Sequence, residues 1–184
     1  FAGAALTDWF DGYIARAWKQ ESRMGAMLDP IADKAMVVIA LMVIVGFSGM
    51  TAWILLPATV ILFREVFVSG LREYLGDASG QLKVTKLAKW KTTVQMVAIA
   101  VLFAQGVFVH YLGMLAFGMD EEMFLAVIEG RAPDLVGLRR LDLGASLCWY
   151  LGLVLLWVAA ALTLLTGWDY FRKSLPLLAE EVPR

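Results

Sequence analysis

No Asp, Glu, Lys or Arg occurs from Ala35 to Phe63, from Thr92 to Met119 or from Leu143 to Trp168. A helix at a water-exposed surface needs a polar face, and runs this long provide none. They suit a bilayer instead, whose hydrocarbon core is crossed by about 20 apolar residues in helical form. The composition agrees: of 184 residues, 60% are hydrophobic and only 18% charged, against about 25% charged in soluble domains. The chain therefore reads as an integral membrane protein.

The second and third runs each suit one spanning helix. The first is long enough for two, and Gly46, Ser48 and Gly49 break it into spans near 28–48 and 52–75. Residues 1–18 read as the tail of a further helix. Too few residues precede the first charge, Asp8, for a span, and no basic segment marks a signal peptide. The expectation is an all-α, polytopic transmembrane helix bundle, with 1–184 forming one N-terminally truncated integral-membrane domain of four complete spans and a fragment.

Charge placement sets the orientation. The segments 16–34, 64–91 and 172–184 fall on one side and hold 13 of the 16 Lys and Arg residues, so that side is expected to be cytoplasmic. The segment 114–142 falls on the other side, with Arg131, Arg139 and Arg140 against six acidic residues. Phe117, Met123, Phe124 and Val127 give it the character of a short amphipathic helix at the far interface. The net charge of −1 argues against a nucleic-acid partner. Cys148, the only cysteine, excludes an intrachain disulfide or a cysteine-based zinc site.

The densest chemistry lies in LTDWFDGYIARAWKQESRMGAMLDPIADK, Leu6 to Lys34. Asp8 and Asp11 are three apart, and Asp29 and Asp33 four apart, so each pair shares a helix face. The basic turn from Arg16 to Arg23 folds the second pair back beside the first. Four carboxylates beside a membrane repel one another and are costly to desolvate. A divalent cation cancels both penalties, and oxygen ligands without His or Cys suit Mg²⁺ or Mn²⁺. Such sites commonly serve phosphate substrates. Gly12, Ala15 and Gly25 leave room for a ligand, and Arg16 offers a fork for phosphate. The plainer alternatives are that Asp29, before Pro30, caps a helix, and that Asp8 and Asp11 are interfacial polar residues.

The order D-x2-D-G-x2-A-R-x8-G-x3-D-x3-D from Asp8 to Asp33 resembles the signature of the CDP-alcohol phosphotransferase family at every specified position. The resemblance implies a six-helix membrane core, here without the first helix and most of the second, that usually forms a homodimer. By position it implies Asp8, Asp11, Asp29 and Asp33 as metal ligands, with Asp33 also the general base. A CDP pocket would be lined by Thr7, Asp8, Asp11, Gly12, Ala15, Arg16 and Gly25. FREVFVSGLREYLG (Phe63–Gly76), KLAKWKTTVQMVAI (Lys86–Ile99) and GWDYFRKSLP (Gly167–Pro176) resemble the bacterial branch that joins CDP-diacylglycerol to sn-glycerol 3-phosphate. The likeness covers 1–113 and 143–176, and 114–142 is longer than that branch leads one to expect. It implies a bacterial cytoplasmic (inner) membrane, with the site facing the cytoplasm and membrane lipid as surroundings.

An acceptor carrying its own phosphate needs cations. Arg64, Arg72, Lys86 and Lys89 are the candidates, Arg64 and Arg72 being eight apart on one helix face. Glu65 is placed to orient Arg64. Lys83 and Lys91 suit anchoring to anionic headgroups instead. His110 lies towards the far end of its span, and Trp53, Trp90, Trp149, Trp157 and Trp168 suit interface or packing roles. Competing readings are a family enzyme using serine, inositol phosphate or phosphatidylglycerol as acceptor, a cation-coupled transporter, and a non-catalytic scaffold. Transporter carboxylates usually lie near the midplane, whereas these lie at helix ends.

Overall fold

A computed structural model describes residues 23–81 and 86–179. Among these residues five helices follow in order: α1 (Arg23–Phe47), α2 (Ala52–Leu75), α3 (Lys86–Leu115), α4 (Glu121–Ile128) and α5 (Leu138–Ala179), with a 3-10 turn at Gly76–Gln81 after α2. Among the described residues there is no strand. Three helical stretches among the described residues are long and apolar enough to cross a membrane: Ala52–Leu75, Trp90–Leu115 and Leu138–Leu178. The first expected span corresponds to α1, whose charges are confined to the half before Ala35.

The break between α1 and α2 falls where glycine predicts it. Gly49 has φ +67 and its N–H bonds to the Gly46 carbonyl, while the Met50 N–H reaches back to Val45 at 3.1 Å. This paired closure with a left-handed glycine ends a helix by satisfying its last carbonyls. The chain then reverses into α2.

Pro57 sits inside α2 and has no N–H for the carbonyl four residues back, that of Trp53. The indole Nε1 of Trp157 on α5 supplies the missing donor at 3.0 Å, and the two indole rings meet edge to face at 6.3 Å.

α3 and α5 run antiparallel and make the most extensive pairing. Gly152 lies against Leu102 and Gly144 against Phe108 so closely that a Cβ on Gly152 would stand 2.7 Å from the Leu102 side chain. The core joins Leu41 and Ile44 of α1, Ile54, Ala58 and Ile61 of α2, Ala98, Ile99 and Leu102 of α3, and Leu156, Ala159 and Ala160 of α5. Alanines at these contacts allow the close backbone approach on which helix pairs in lipid rely, since lipid tails are as apolar as leucine. Large apolar side chains such as Phe63, Val66 and Leu165 point outward, as a lipid-facing surface requires.

α5 is longer than its charge-free run. At 1.5 Å per residue its 42 residues extend about 63 Å, twice the hydrocarbon thickness. The helix continues past Trp168 because Asp169, Arg172 and Lys173 are themselves helix-compatible, and Lys173 pairs with Asp169 one turn back at 2.6 Å.

The segment 114–142 contains the expected short helix, α4. Asp120 caps it, accepting from the Met123 N–H at 2.7 Å, and Val127 is its buried contact. Arg139 on α5 clamps its exit, donating to the Val127 carbonyl at 2.7 Å and the Ala132 carbonyl at 2.9 Å. The Asp134 carboxylate gathers the N–H groups of Gly137, Leu138 and Arg139 at the start of α5.

Candidate active site at the charged end of the bundle

The end opposite α4 is built from the first half of α1, the last turns of α2, the first turns of α3 and the last turns of α5. Thr7, Asp8, Asp11, Gly12, Ala15 and Arg16 lie outside the described residues. For Asp29, Lys86 and Lys89 only the backbone is described. That backbone corrects one alternative: α1 begins at Arg23, so Asp29 and Pro30 stand inside the helix and Asp29 is not its cap. Asp29 and Asp33 thus occupy successive turns of one helix face. Asp33 is exposed, and Gly25 lies in the first turn of α1.

Next to Asp33, Lys34 reaches across to α2 and donates to the Ser69 hydroxyl at 2.5 Å. Ser69 in turn donates to the Glu65 carbonyl at 2.6 Å. These bonds set the acidic face of α1 at the height of the last turns of α2. Among the described residues no three His, Cys, Asp or Glu side chains meet in a metal-binding cluster. Asp29 and Asp33 offer hard oxygen donors in the right chemistry for a divalent ion, and the other two expected ligands lie outside the described residues.

One turn deeper stands a cationic cluster. Glu65 accepts from Arg64 at 3.3 Å and from Lys91 of α3 in a shorter contact. The Arg64 stem crosses α5 at Gly167, where a Cβ would lie 2.9 Å from Arg64 Cγ. Arg72, two turns on, rests its guanidinium over the Tyr170 ring at 5.2 Å. Arg64 and Lys91 therefore share one carboxylate, while Arg72 is exposed two turns further on. Two cations on one carboxylate inside the bundle suit an anion. Beside it, Phe63, Phe67, Leu164, Leu165, Trp168 and Phe171 line an apolar groove of about 450 Å³ between α2 and α5, with Arg64 at its edge.

Arg64 and Arg72 share a helix face as their spacing predicts, and Glu65 does touch Arg64. Lys91 is a correction. It is only 5% exposed and is paired inside the bundle, so it cannot serve as a headgroup anchor. The rotation of α3 against α2 turns it inward, and its position on the boundary of the charge-free run was the only trace in the sequence. Gly167 and Tyr170 escaped the reading of individual residues because their roles arise across the α2–α5 contact. His110 lies near the other end of α3, as expected, 19 residues and about 28 Å of helix from Lys91.

The family model for CDP-alcohol phosphatidyltransferase matches residues 1–120. The chain belongs to this family. Its similarity to curated relatives extends further. A Cereibacter sphaeroides protein is 59% identical over 181 residues, covering 98% of this chain and 82% of the relative. An Escherichia coli protein is 44% identical over 120 residues, 64% of this chain and 65% of the relative. One from Haemophilus influenzae is 50% identical over 98 residues, 52% of each. All three are named CDP-diacylglycerol–glycerol-3-phosphate 3-phosphatidyltransferase. Enzymes of this family generally depend on a divalent metal.

Proposed function

We propose that this chain transfers the phosphatidyl group of CDP-diacylglycerol to sn-glycerol 3-phosphate, giving phosphatidylglycerophosphate and CMP. The observation that carries the acceptor is the pairing of Arg64 and Lys91 with a single carboxylate, Glu65, one turn from the acidic face of α1, with Arg72 two turns further along the same face. A phosphomonoester carries a charge of about −1.5 to −2 near neutral pH, which calls for more than one cation. Serine offers no such charge.

In this reading Asp8, Asp11, Asp29 and Asp33 hold Mg²⁺ or Mn²⁺. An ion held there would supply the positive charge that the donor diphosphate and the departing CMP require. Thr7, Asp8, Asp11, Gly12, Ala15, Arg16 and Gly25 line the CDP pocket. Arg64, Arg72, Lys86 and Lys89, joined by Lys91, hold the acceptor phosphate. Asp33 takes the proton of the acceptor's 1-hydroxyl. That oxygen forms a bond to the phosphorus bearing the diacylglycerol, and the bond from that phosphorus to the bridging oxygen breaks, releasing CMP with the electron pair. The separation of the cation cluster from Asp33 supports this division: from Arg64 to Ser69, the partner of Lys34, is five residues, about 7.5 Å along the helix, comparable to the reach of an extended glycerol phosphate. The site faces the cytoplasm of a bacterial inner membrane, and the protein works as a homodimer.

The test is CMP release and lipid product formation by the purified protein with CDP-diacylglycerol, Mg²⁺ and each acceptor alcohol in turn. Product with glycerol 3-phosphate, lost on chelation and reduced at least a hundredfold in Asp33→Asn, supports the reading. Product only with serine, inositol phosphate or phosphatidylglycerol refutes the acceptor. CMP release at the parent rate in Asp33→Asn refutes the base.

A further inference from the structure

Two hydrogen-bond donors in the cationic cluster have no acceptor. The Nε of Arg64 and the hydroxyl of Tyr170 are both shielded from solvent and find no partner among the described residues. They approach from different helices, α2 and α5, and the Arg64 side chain crosses α5 at Gly167, three residues before Tyr170. Glu65 does not satisfy them, since it is engaged by the Arg64 terminal nitrogen and by Lys91. A buried donor left without an acceptor costs about as much as a lost hydrogen bond, and more where no water can reach it. A ligand oxygen between the two would supply the acceptor that both lack among the described residues.

The position of Tyr170 is held from both sides. Arg72 covers its ring at 5.2 Å. Three residues earlier, Gly167 leaves the space through which the Arg64 stem passes. Tyr170 also lies beyond residues 1–120 matched by the family model, so the matched region carries no information about it.

We propose that the Tyr170 hydroxyl donates to the phosphate of the acceptor alcohol, and that with Arg64 Nε it makes the site selective for a phosphorylated acceptor. This rests on the function proposed above and adds a ligand from α5 to a site otherwise drawn from α2 and α3. An anionic phosphate presents only acceptor oxygens, which is what two unmatched donors require. The tyrosine adds directionality that a cluster of cations lacks. It also gives a use to the continuation of α5 beyond Trp168, where its charge-free run ends and Tyr170 follows.

The test is Tyr170→Phe, which removes the hydroxyl and keeps the ring beneath Arg72. The purified variant is compared with the parent in KM for glycerol 3-phosphate, KM for CDP-diacylglycerol, inhibition by inorganic phosphate and thermal unfolding in detergent. The expected result is an acceptor KM raised about tenfold, the loss of one charge-assisted hydrogen bond. Inhibition by inorganic phosphate weakens in parallel. KM for the donor stays unchanged, and the melting temperature is unchanged or higher, since the lost hydroxyl had no partner in the protein. Parent values for acceptor KM and phosphate inhibition overturn the proposal. So does a rise in both KM values with a lower melting temperature, which marks a packing role. A parent protein that makes no product from glycerol 3-phosphate overturns the underlying function instead, and does so before the variant is examined.

Discussion

The indole Nε1 of Trp157 donates to the main-chain carbonyl of Trp53 at 3.0 Å. That carbonyl lacks its helical partner because the residue four positions on is Pro57. One long-range bond thus repairs the gap a proline makes in α2 and fixes the height of α2 against α5. Arg64 meets Gly167 about 15 Å further along the same two helices, and Arg72 meets Tyr170 beyond that.

Trp157→Phe should therefore lower stability by about 1–3 kcal/mol, the cost of an unpaired carbonyl plus a smaller ring. The control is Pro57→Ala, which restores an N–H to the helix. In the double variant the Trp157 substitution should cost less than it does alone. Unfolding of the four proteins in detergent measures the coupling, and strict additivity would show that the bond does not compensate for the proline.

Glu65 and Lys91 form the ion pair between α2 and α3, with side chains 19% and 6% exposed. Removing one partner leaves a charge stranded in the bundle, so Glu65→Ala should destabilise by about 3–5 kcal/mol. Glu65→Leu combined with Lys91→Met should recover most of that stability, because a pair of apolar residues needs no counter-charge. The double variant should nevertheless remain impaired in its acceptor KM. Full activity in the recovered protein would remove Lys91 from the phosphate site.

Gly167→Ala sets two effects against each other. Alanine favours the helix by about 1 kcal/mol, but its Cβ would stand 2.9 Å from Arg64 Cγ, close to the start of that side chain. Arg64 must move. The expected outcome is a melting temperature near that of the parent with an acceptor KM several-fold higher, read from unfolding and steady-state kinetics on one preparation. An unchanged acceptor KM would separate Arg64 from substrate binding.

Asp134 holds the start of α5 by accepting its first free N–H groups. Desolvation raises its pKa, but the backbone N–H groups of Arg139, Leu138, Gly137 and Val136 together outweigh it and hold the carboxyl below its ordinary value of 3.8. The folded state therefore favours the charged form. Its contribution is fully present above that ordinary value and is lost as pH falls through the lower folded value. Asp134→Asn should lower stability at neutral pH and flatten the fall below about pH 4. The comparison is of melting temperatures across that range for parent and variant. Parallel curves would show that this carboxylate has no such role.

Much of this was readable from the chain. Charge-free runs become helices wherever the solvent is lipid, because no other open structure satisfies the backbone there. The turn at Gly49 follows from local conformational preference, and α4 from an acidic cap before an apolar patch. The shared face of Arg64 and Arg72 follows from helical periodicity. The end of α5 was less legible, since the charged residues after Trp168 continue a helix as readily as they end one. Lys91 was misread because a lysine at the edge of an apolar run looks the same whether it faces headgroups or a neighbouring carboxylate.

Residue types and spacing by themselves determined a helical membrane protein with its basic ends on one side, and they placed Asp29 and Asp33 on one helix face. Those properties depend on solvent and on periodicity within a single element. Which charges are buried, which carboxylate they share, and that Tyr170 stands beside Arg64 were decided only in the tertiary structure. They depend on the rotation and height of α2, α3 and α5 against one another. Those are set by contacts between residues far apart in the chain: Trp157 on Trp53, Gly152 on Leu102 and Gly167 under Arg64.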